Sequence, residues 1–372
     1  MQPAERGTLM RVAIDARELQ DHPTGVGRYL TALLTHWRDV PAARECEFLL
    51  CSHAPVHLPD LTGLRVATRM AGHVGGTRWE QLTLPGLLRA ARADVLFAPA
   101  YTAPLLTSVP VVLAIHDVSF AAHPEWFSWR EGLRRRTLAR LSARRARRVL
   151  TISEFSRAEI VRHLGTDPAK ILVTPLGPGR GPGATDAALP PRGTDEDLLL
   201  YVGSVFERRH VPELVEAFAR LAARRPRARL AIVGDNRTRP VVDLDAVARR
   251  CGVADRVSRL DFVDDATLAT LYHDARGFVF LSAYEGFGLT PLEALTAGVP
   301  VLLLDTPVAR EVCGDAAAYV GSTDPGVIAD ALERLLYDDA ERGRLADARP
   351  AVLDRYSWSR CAAATFEAIT AP

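Results

Sequence analysis

Short runs rich in Val, Ile and Leu alternate along the chain with stretches whose apolar residues recur at helical spacing. Runs that are apolar on both alternating positions suit parallel strands covered on both faces, and the amphipathic stretches between them supply the crossover helices. In the first half the pattern predicts strands over 11–15, 94–98, 109–115 and 149–153, with helices beginning near Val26, Phe127 and Glu154. In the second half, strands over 198–203, 230–234, 257–262, 278–281 and 299–304 alternate with further helices. The fold class is therefore α/β with parallel sheets.

Between the halves, residues 175–197 read PLGPGRGPGATDAALPPRGTDED, where Pro and Gly break both periodicities. The expected organisation is a first domain over 1–178, a linker over 179–196, a second domain over 197–355 and a last helix within 356–372. At 372 residues two domains are also what length alone favours. Hydrophobic residues at 48% and charged residues at 24% exclude a disordered chain. Lys plus Arg 46 against Asp plus Glu 45 gives +1, too balanced for a protein that neutralises nucleic acid by net charge. Lys170 is the only lysine. The five cysteines lack CxxC spacing, which argues against a zinc ribbon and fits a reducing compartment. The opening residues carry charges where a secretory leader needs its apolar core, and no apolar run is long enough to span a bilayer. A cytoplasmic protein is expected.

Candidate chemistry concentrates where predicted strands end, the edge at which open parallel sheets bind ligands. In LSAYEGFGLTPLEAL, Gly286 and Gly288 let backbone N–H groups approach a ligand, and a helix starting near Thr290 directs its positive end there, as a phosphate requires. Glu285 and Glu293 could each accept two hydrogen bonds from vicinal hydroxyls. A purely structural reading competes, with Thr290 as N-cap, Pro291 at N1 and Glu293 at N3 of a capping box.

The whole phrase from Glu285 to Glu293, with Phe287 and Leu289 between the glycines and Thr290, resembles the EX7E motif of retaining glycosyltransferases, in particular glycosyltransferase family 4 with the GT-B fold. That resemblance implies two Rossmann-like domains facing across a cleft, an acceptor domain first and a nucleotide-sugar domain second, with the last helix crossing back to the first. YVGSVFERRHVPELVEAFARL is similar to the family's strand, basic loop and helix, placing Gly203, Arg208 and Arg209 at the donor diphosphate, with Arg209 where the family has Lys. Gly25 and Gly27 resemble the family's amino-terminal glycine loop, although a plain turn before a helix explains them equally. As a dinucleotide fingerprint the segment fails, because Leu30 stands where Gly or Ala is needed. The resemblance further implies that His116 faces the donor sugar, that Val263 flanks the base beside Phe262 and Asp264, and that the segments carrying Trp79, Glu80, Gln81 and Tyr101 shape the acceptor side, although core packing explains Trp79 equally well. Asp117 either orients His116 or caps a turn. Ser153 and Ser156 read as caps.

The reaction implied moves a hexose, with mannose the first guess, from a nucleotide-diphosphate sugar to an acceptor hydroxyl with retention of configuration. In it Glu285 and His116 hold the sugar, Glu293 holds the ribose, and the co-substrate is the only small molecule needed, with no cofactor and no metal. The acceptor would be a saccharide or lipid-linked glycan of surface polysaccharide or glycolipid assembly. A GT-B nucleotide-sugar 2-epimerase and a non-catalytic nucleotide-sugar binding protein are the competing readings. Residues 130–148 form a basic helix with Leu133, Leu138 and Leu141 on its apolar side, read either as a solvated face or as peripheral contact with the inner face of the cell membrane.

Overall fold

The computed structural model describes residues 9–20, 25–179 and 197–371. Of the expected linker, residues 180–196 lie outside the described residues. Two compact units separate, Met1–Gly177 with Ser357–Pro372, and Pro178–Tyr356.

Among the described residues, unit 1 carries seven strands, β1 (Met10–Asp15), β2 (Cys46–Ser52), β3 (Arg65–Met70), β4 (Val95–Ala98), β5 (Val111–Ala114), β6 (Arg148–Thr151) and β7 (Ile171–Val173). They form one sheet in the order β3-β2-β1-β4-β5-β6-β7, every pair parallel. Unit 2 carries β8 (Asp197–Val202), β9 (Ala228–Val233), β10 (Val257–Leu260), β11 (Gly277–Phe280), β12 (Val301–Leu304) and β13 (Ala317–Val320) in the order β10-β9-β8-β11-β12-β13, again all parallel. In both sheets the order reverses at one place, between β1 and β4 and between β8 and β11, and such switch points open a crevice at the carboxyl ends of the strands.

Four strands were not predicted: β2, β3, β7 and β13. β3 is an edge strand, mostly exposed, so its sequence RVATRM lacks the continuous apolar run that marks a central strand. β7 has only three residues, and β13 opens on alanines that read as helix. The strand predicted to reach residue 262 stops at Leu260, leaving Phe262 71% exposed in the loop.

The helix Gly25–Trp37 buries Tyr29, Leu30, Leu33, Leu34 and Trp37 along one side. The last helix, Trp358–Thr370, packs on it within unit 1: the Trp37 indole N–H donates to the Ala362 carbonyl at 2.9 Å, and Phe366 meets Trp37 edge-on at 6.0 Å. In unit 2 the helix Val211–Arg224 buries Val211, Leu214, Val215, Phe218, Leu221 and Ala222, the i, i+3, i+4, i+7 stripe of an amphipathic helix. The turns leaving β8 and β9 touch: a Cβ on Gly234, at φ +143°, would stand 2.1 Å from the Gly203 carbonyl oxygen. Only glycine permits that approach.

Candidate functional site

The carboxyl end of β8 runs through Gly203 into a loop whose residues Glu207–Arg209 form a single tight turn, and His210, at φ +51°, starts the next helix. The neighbouring β11 continues through Ser282 and Tyr284 to Glu285. The two segments are tied by Ala283 N–H to the Arg208 carbonyl at 2.9 Å and by Arg208 Nε to the Tyr284 carbonyl at 3.3 Å. Arg209 lies between Phe280 and Phe206, at 4.9 and 5.4 Å from the ring centres, and its Nη1 donates to the Ser204 carbonyl at 2.8 Å. Its Nε and Nη2 both reach Glu285 Oε1, at 2.8 and 2.7 Å, and Ser282 Oγ donates to the same oxygen at 2.8 Å. Burial alone would lower the Arg209 pKa, but the charge of the Glu285 carboxylate and the hydrogen bonds to it outweigh burial and hold it raised. The pair is thus a fixed cation and a carboxylate whose three donors all sit on one oxygen.

After Glu285 the chain turns through Gly288, at φ +100°, which caps the helix Leu289–Thr296. The helix therefore begins one residue before Thr290, and the capping box of the competing structural reading is not formed: Pro291 is its third residue. Glu293, 7% exposed, instead accepts a hydrogen bond at Oε2 from the Tyr272 hydroxyl at 3.0 Å. Phe287 is turned inward against Tyr356, ring centres 5.3 Å apart, so what it can offer a ligand is backbone. Under the turn, a hollow of about 20 Å³ bounded by Ser282, Glu285 and Gly288 holds roughly one water. A hexose does not fit inside it. Val263 is half-buried beside Asp264, which N-caps the helix Asp265–Asp274 through Thr267 N–H at 2.7 Å.

In unit 1, His116 follows β5 and is buried. Its Nε2 is 2.9 Å from the Pro99 carbonyl oxygen, which can only accept, so Nε2 carries the proton and Nδ1 the lone pair. Tyr29 and Tyr101 meet the ring edge-on at 4.7 and 5.8 Å. Burial lowers its pKa more than the Pro99 bond and Asp117 raise it, so the imidazole is neutral at pH 7. Asp117 does cap the turn, accepting from Ser119 N–H at 2.8 Å, and it also accepts from the Tyr101 hydroxyl at 3.0 Å. Ser153 caps the helix Glu154–Leu164 through Ser156 N–H, and Ser156 Oγ donates to the His116 carbonyl at 3.0 Å. Gly25 and Gly27 lie inside the first turn of their helix, and nothing stands within 4 Å of a Cβ at Gly25; residues 21–24 lie outside the described residues. Trp79 is buried with its N–H on the Ala71 carbonyl at 2.7 Å, a core residue.

Sequence reasoning missed the ionic cluster beside Trp79. Arg17 grips Asp15 through Nε at 2.9 Å and Nη2 at 2.6 Å, and reaches Glu80 at 2.7 Å. The sequence marks Glu80 only as part of a segment resembling the family's acceptor side. The basic helix spans Trp129–Arg145 and buries Gly132, Ala139, Ser142 and Ala143, while Trp129 at 71%, Leu133 at 51% and Leu141 at 39% face outward with the arginines. Leu133 and Leu141 thus do not pack on the sheet. Among the described residues, no helix is long and apolar enough to cross a membrane.

Residues 187–351 match the family described as glycosyl transferases group 1, and residues 23–177 match glycosyltransferase family 4. The chain is 31% identical over 273 residues to O-antigen chain mannosyltransferase B of Escherichia coli, covering 69% of each. It is 34% identical over 227 residues to D-inositol 3-phosphate glycosyltransferase of Xylanimonas cellulosilytica, covering 56% of this chain and 53% of that one, just over half its length. The solved structure of Anabaena HepE in complex with UDP and glucose superposes with a TM-score of 0.71 at 17% identity, over 98% of this chain and 100% of that one, a likeness of GT-B fold.

Proposed function

Because the chain belongs to glycosyltransferase family 4, we propose that it moves a hexose from a nucleotide-diphosphate sugar to an acceptor hydroxyl with retention of configuration and without a metal ion. The observation that carries this reading is the convergence of Arg208, Arg209 and Glu285 where β8 and β11 diverge. Departure of a nucleoside diphosphate leaves negative charge on the β-phosphate, and preorganised cations and N–H groups are what stabilise it. Arg208, Arg209 and the amides from Gly288 to Thr290 take that part, with Gly203, Gly25 and Gly27 letting the backbone approach. The bond from the anomeric carbon to the phosphate oxygen breaks, the bond to the acceptor oxygen forms on the same face, and the acceptor proton passes to the leaving phosphate.

Glu285 Oε1 is already occupied, so Oε2 is the oxygen offered to sugar hydroxyls. His116 contacts the donor sugar, Glu293 the ribose, Val263 the base edge, and Tyr101 the acceptor side, where Trp79 contributes only support from the core. GDP-mannose is the first donor to try, since the E. coli relative is named a mannosyltransferase, and surface polysaccharide or glycolipid assembly on the cytoplasmic side is the first setting. The outward Trp129 and Leu133 among arginines support a peripheral contact of the helix Trp129–Arg145 with anionic lipid.

Incubation with GDP-, UDP- and ADP-sugars and a lipid-linked or free glycan, with NMR of the product's anomeric proton, tests the reading. An α-linked product from an α-linked donor is expected. An inverted product, a C2-epimerised nucleotide sugar, or tight donor binding without any product would overturn it.

A further inference from the structure

The helical stretch after Gly75 contains Pro85, which has no N–H to give the Gln81 carbonyl and whose ring would strike that carbonyl in α-helical register. The chain answers by widening: Leu84 N–H bonds to Trp79 O, a five-residue step, and Trp79–Thr83 forms a π turn. Consecutive helical side chains ordinarily diverge, but here Glu80 and Gln81 both reach one segment, the loop after β4. Glu80, 2% exposed, accepts from Thr102 Oγ1 at 2.7 Å. Gln81 donates to the Ala103 carbonyl at 3.0 Å and accepts from Leu105 N–H at 2.9 Å. Gln81 Nε2 also donates to Glu80 at 2.6 Å, and Arg17, anchored on Asp15, fixes Glu80 from the other side.

The clamped loop is the one that serves His116. It leaves β4 at Pro99, whose carbonyl receives the Nε2 proton, and turns at Tyr101, held at the unfavourable φ of +65° by its N–H on the Ala114 carbonyl at 2.9 Å and its hydroxyl on Asp117. A buried cluster of two carboxylates and one guanidinium is a poor source of stability, since well-packed apolar side chains commonly do as well or better. Its specific effect here is geometric.

We propose that Glu80 and Gln81 are positioning residues that hold the 99–105 loop so that the Pro99 carbonyl keeps His116 in the single tautomer with Nε2 protonated and Nδ1 as acceptor. The consequence for catalysis rests on the sugar contact assigned to His116 above; the tautomer itself does not. NMR of the full chain labelled with ¹⁵N-histidine, with the His116 signals identified by their loss in His116→Gln, reads the tautomer directly. Wild type is expected to show one protonated and one unprotonated ring nitrogen. In Glu80→Gln, which leaves Arg17 on Asp15, and in Gln81→Ala, which removes a neutral amide only, the two shifts should draw together as tautomers mix. With them, kcat should fall about tenfold to a hundredfold while donor KM stays within about twofold. Reverting only position 81 in a Glu80→Gln, Gln81→Ala double variant should recover part of both effects. Drawn-together shifts with unchanged kcat would uphold the positioning and remove the sugar contact from His116. His116 shifts identical to wild type in both folded single variants would overturn the proposal.

Discussion

The two sheet edges share a strand order and a switch point yet present opposite chemistry. In unit 2 the edge holds a charged pair, Arg209 and Glu285, with 13% and 20% of their side chains exposed. At the unit 1 edge the imidazole of His116 is buried and neutral, and the carboxylates paired with Arg17, Asp15 and Glu80, keep only 4% and 3% of their side chains exposed, against 20% for Glu285. A parallel sheet therefore supplies a place but no chemistry, and the loops decide whether that place offers charge or a fixed shape. An anion needs the first; a neutral, hydroxyl-rich ligand needs hydrogen-bond partners aimed in advance.

The largest effect expected is on the charged edge. Arg208→Ala should lower kcat at least a hundredfold, about 3 kcal/mol in the barrier, measured at saturating donor, while EDTA leaves the wild-type rate within about twofold. Full loss of activity in EDTA with recovery on adding Mg²⁺ or Mn²⁺ would shift the burden from arginine to a metal and dissolve the contrast. Glu285→Gln should likewise act on kcat, whereas Glu293→Gln should weaken nucleotide diphosphate binding by about tenfold, roughly 1.4 kcal/mol. Tyr272→Phe, which strips Glu293 of a donor, should change the same affinity in calorimetry; equal affinity in all three proteins would take Glu293 out of the ribose site.

The buried edge should reveal itself through pH. Because the folded-state pKa of His116 is depressed below its unfolded value of about 6.5, the unfolded chain takes up the proton first on acidification. The stability this imidazole contributes is complete above pH 6.5 and lost as pH falls below it, at no more than about 1.36 kcal/mol per pH unit. His116→Gln should flatten that part of the denaturation profile between pH 7 and 5, and an unchanged slope would mean that His116 is more open to water than its surroundings indicate. The smallest effect belongs to the basic helix. Each Arg contributes about 1 kcal/mol near an anionic surface, so replacing Arg134, Arg135 and Arg136 by Ser should weaken co-sedimentation with anionic liposomes at low salt. Pelleting that ignores both the substitutions and added salt would leave the helix a solvated face.

What was legible in the sequence follows the range of the interactions. The strand ending before Glu285 and the glycines after it lie within a dozen residues, so pattern and phrase coincide there. Gly288 could not be distinguished from Thr290 as the cap, since that depends on a left-handed φ which Gly288 adopts and a side-chain bond which Thr290 does not make. Arg17 and Glu80 are 63 positions apart, and nothing local marks them as partners. For Trp79 the family resemblance suggests the acceptor side and core packing explains it equally well; the structure favours the core, since the indole N–H is satisfied by the Ala71 carbonyl there. β13 escaped because alanine at an edge strand carries no strand signal.

The seat of the last helix has a consequence in time. Trp37 bonds to Ala362 across 325 positions, so the unit that leaves the ribosome first is the one that must wait. At roughly 5–20 residues per second, the indole stays without its carbonyl for about 15–65 s while all of the second unit is synthesised and free to fold. During that interval the helix Gly25–Trp37 has Phe48 and Phe97 of its own sheet to pack on but lacks Phe366, so the nascent first unit shows apolar surface that the finished protein covers.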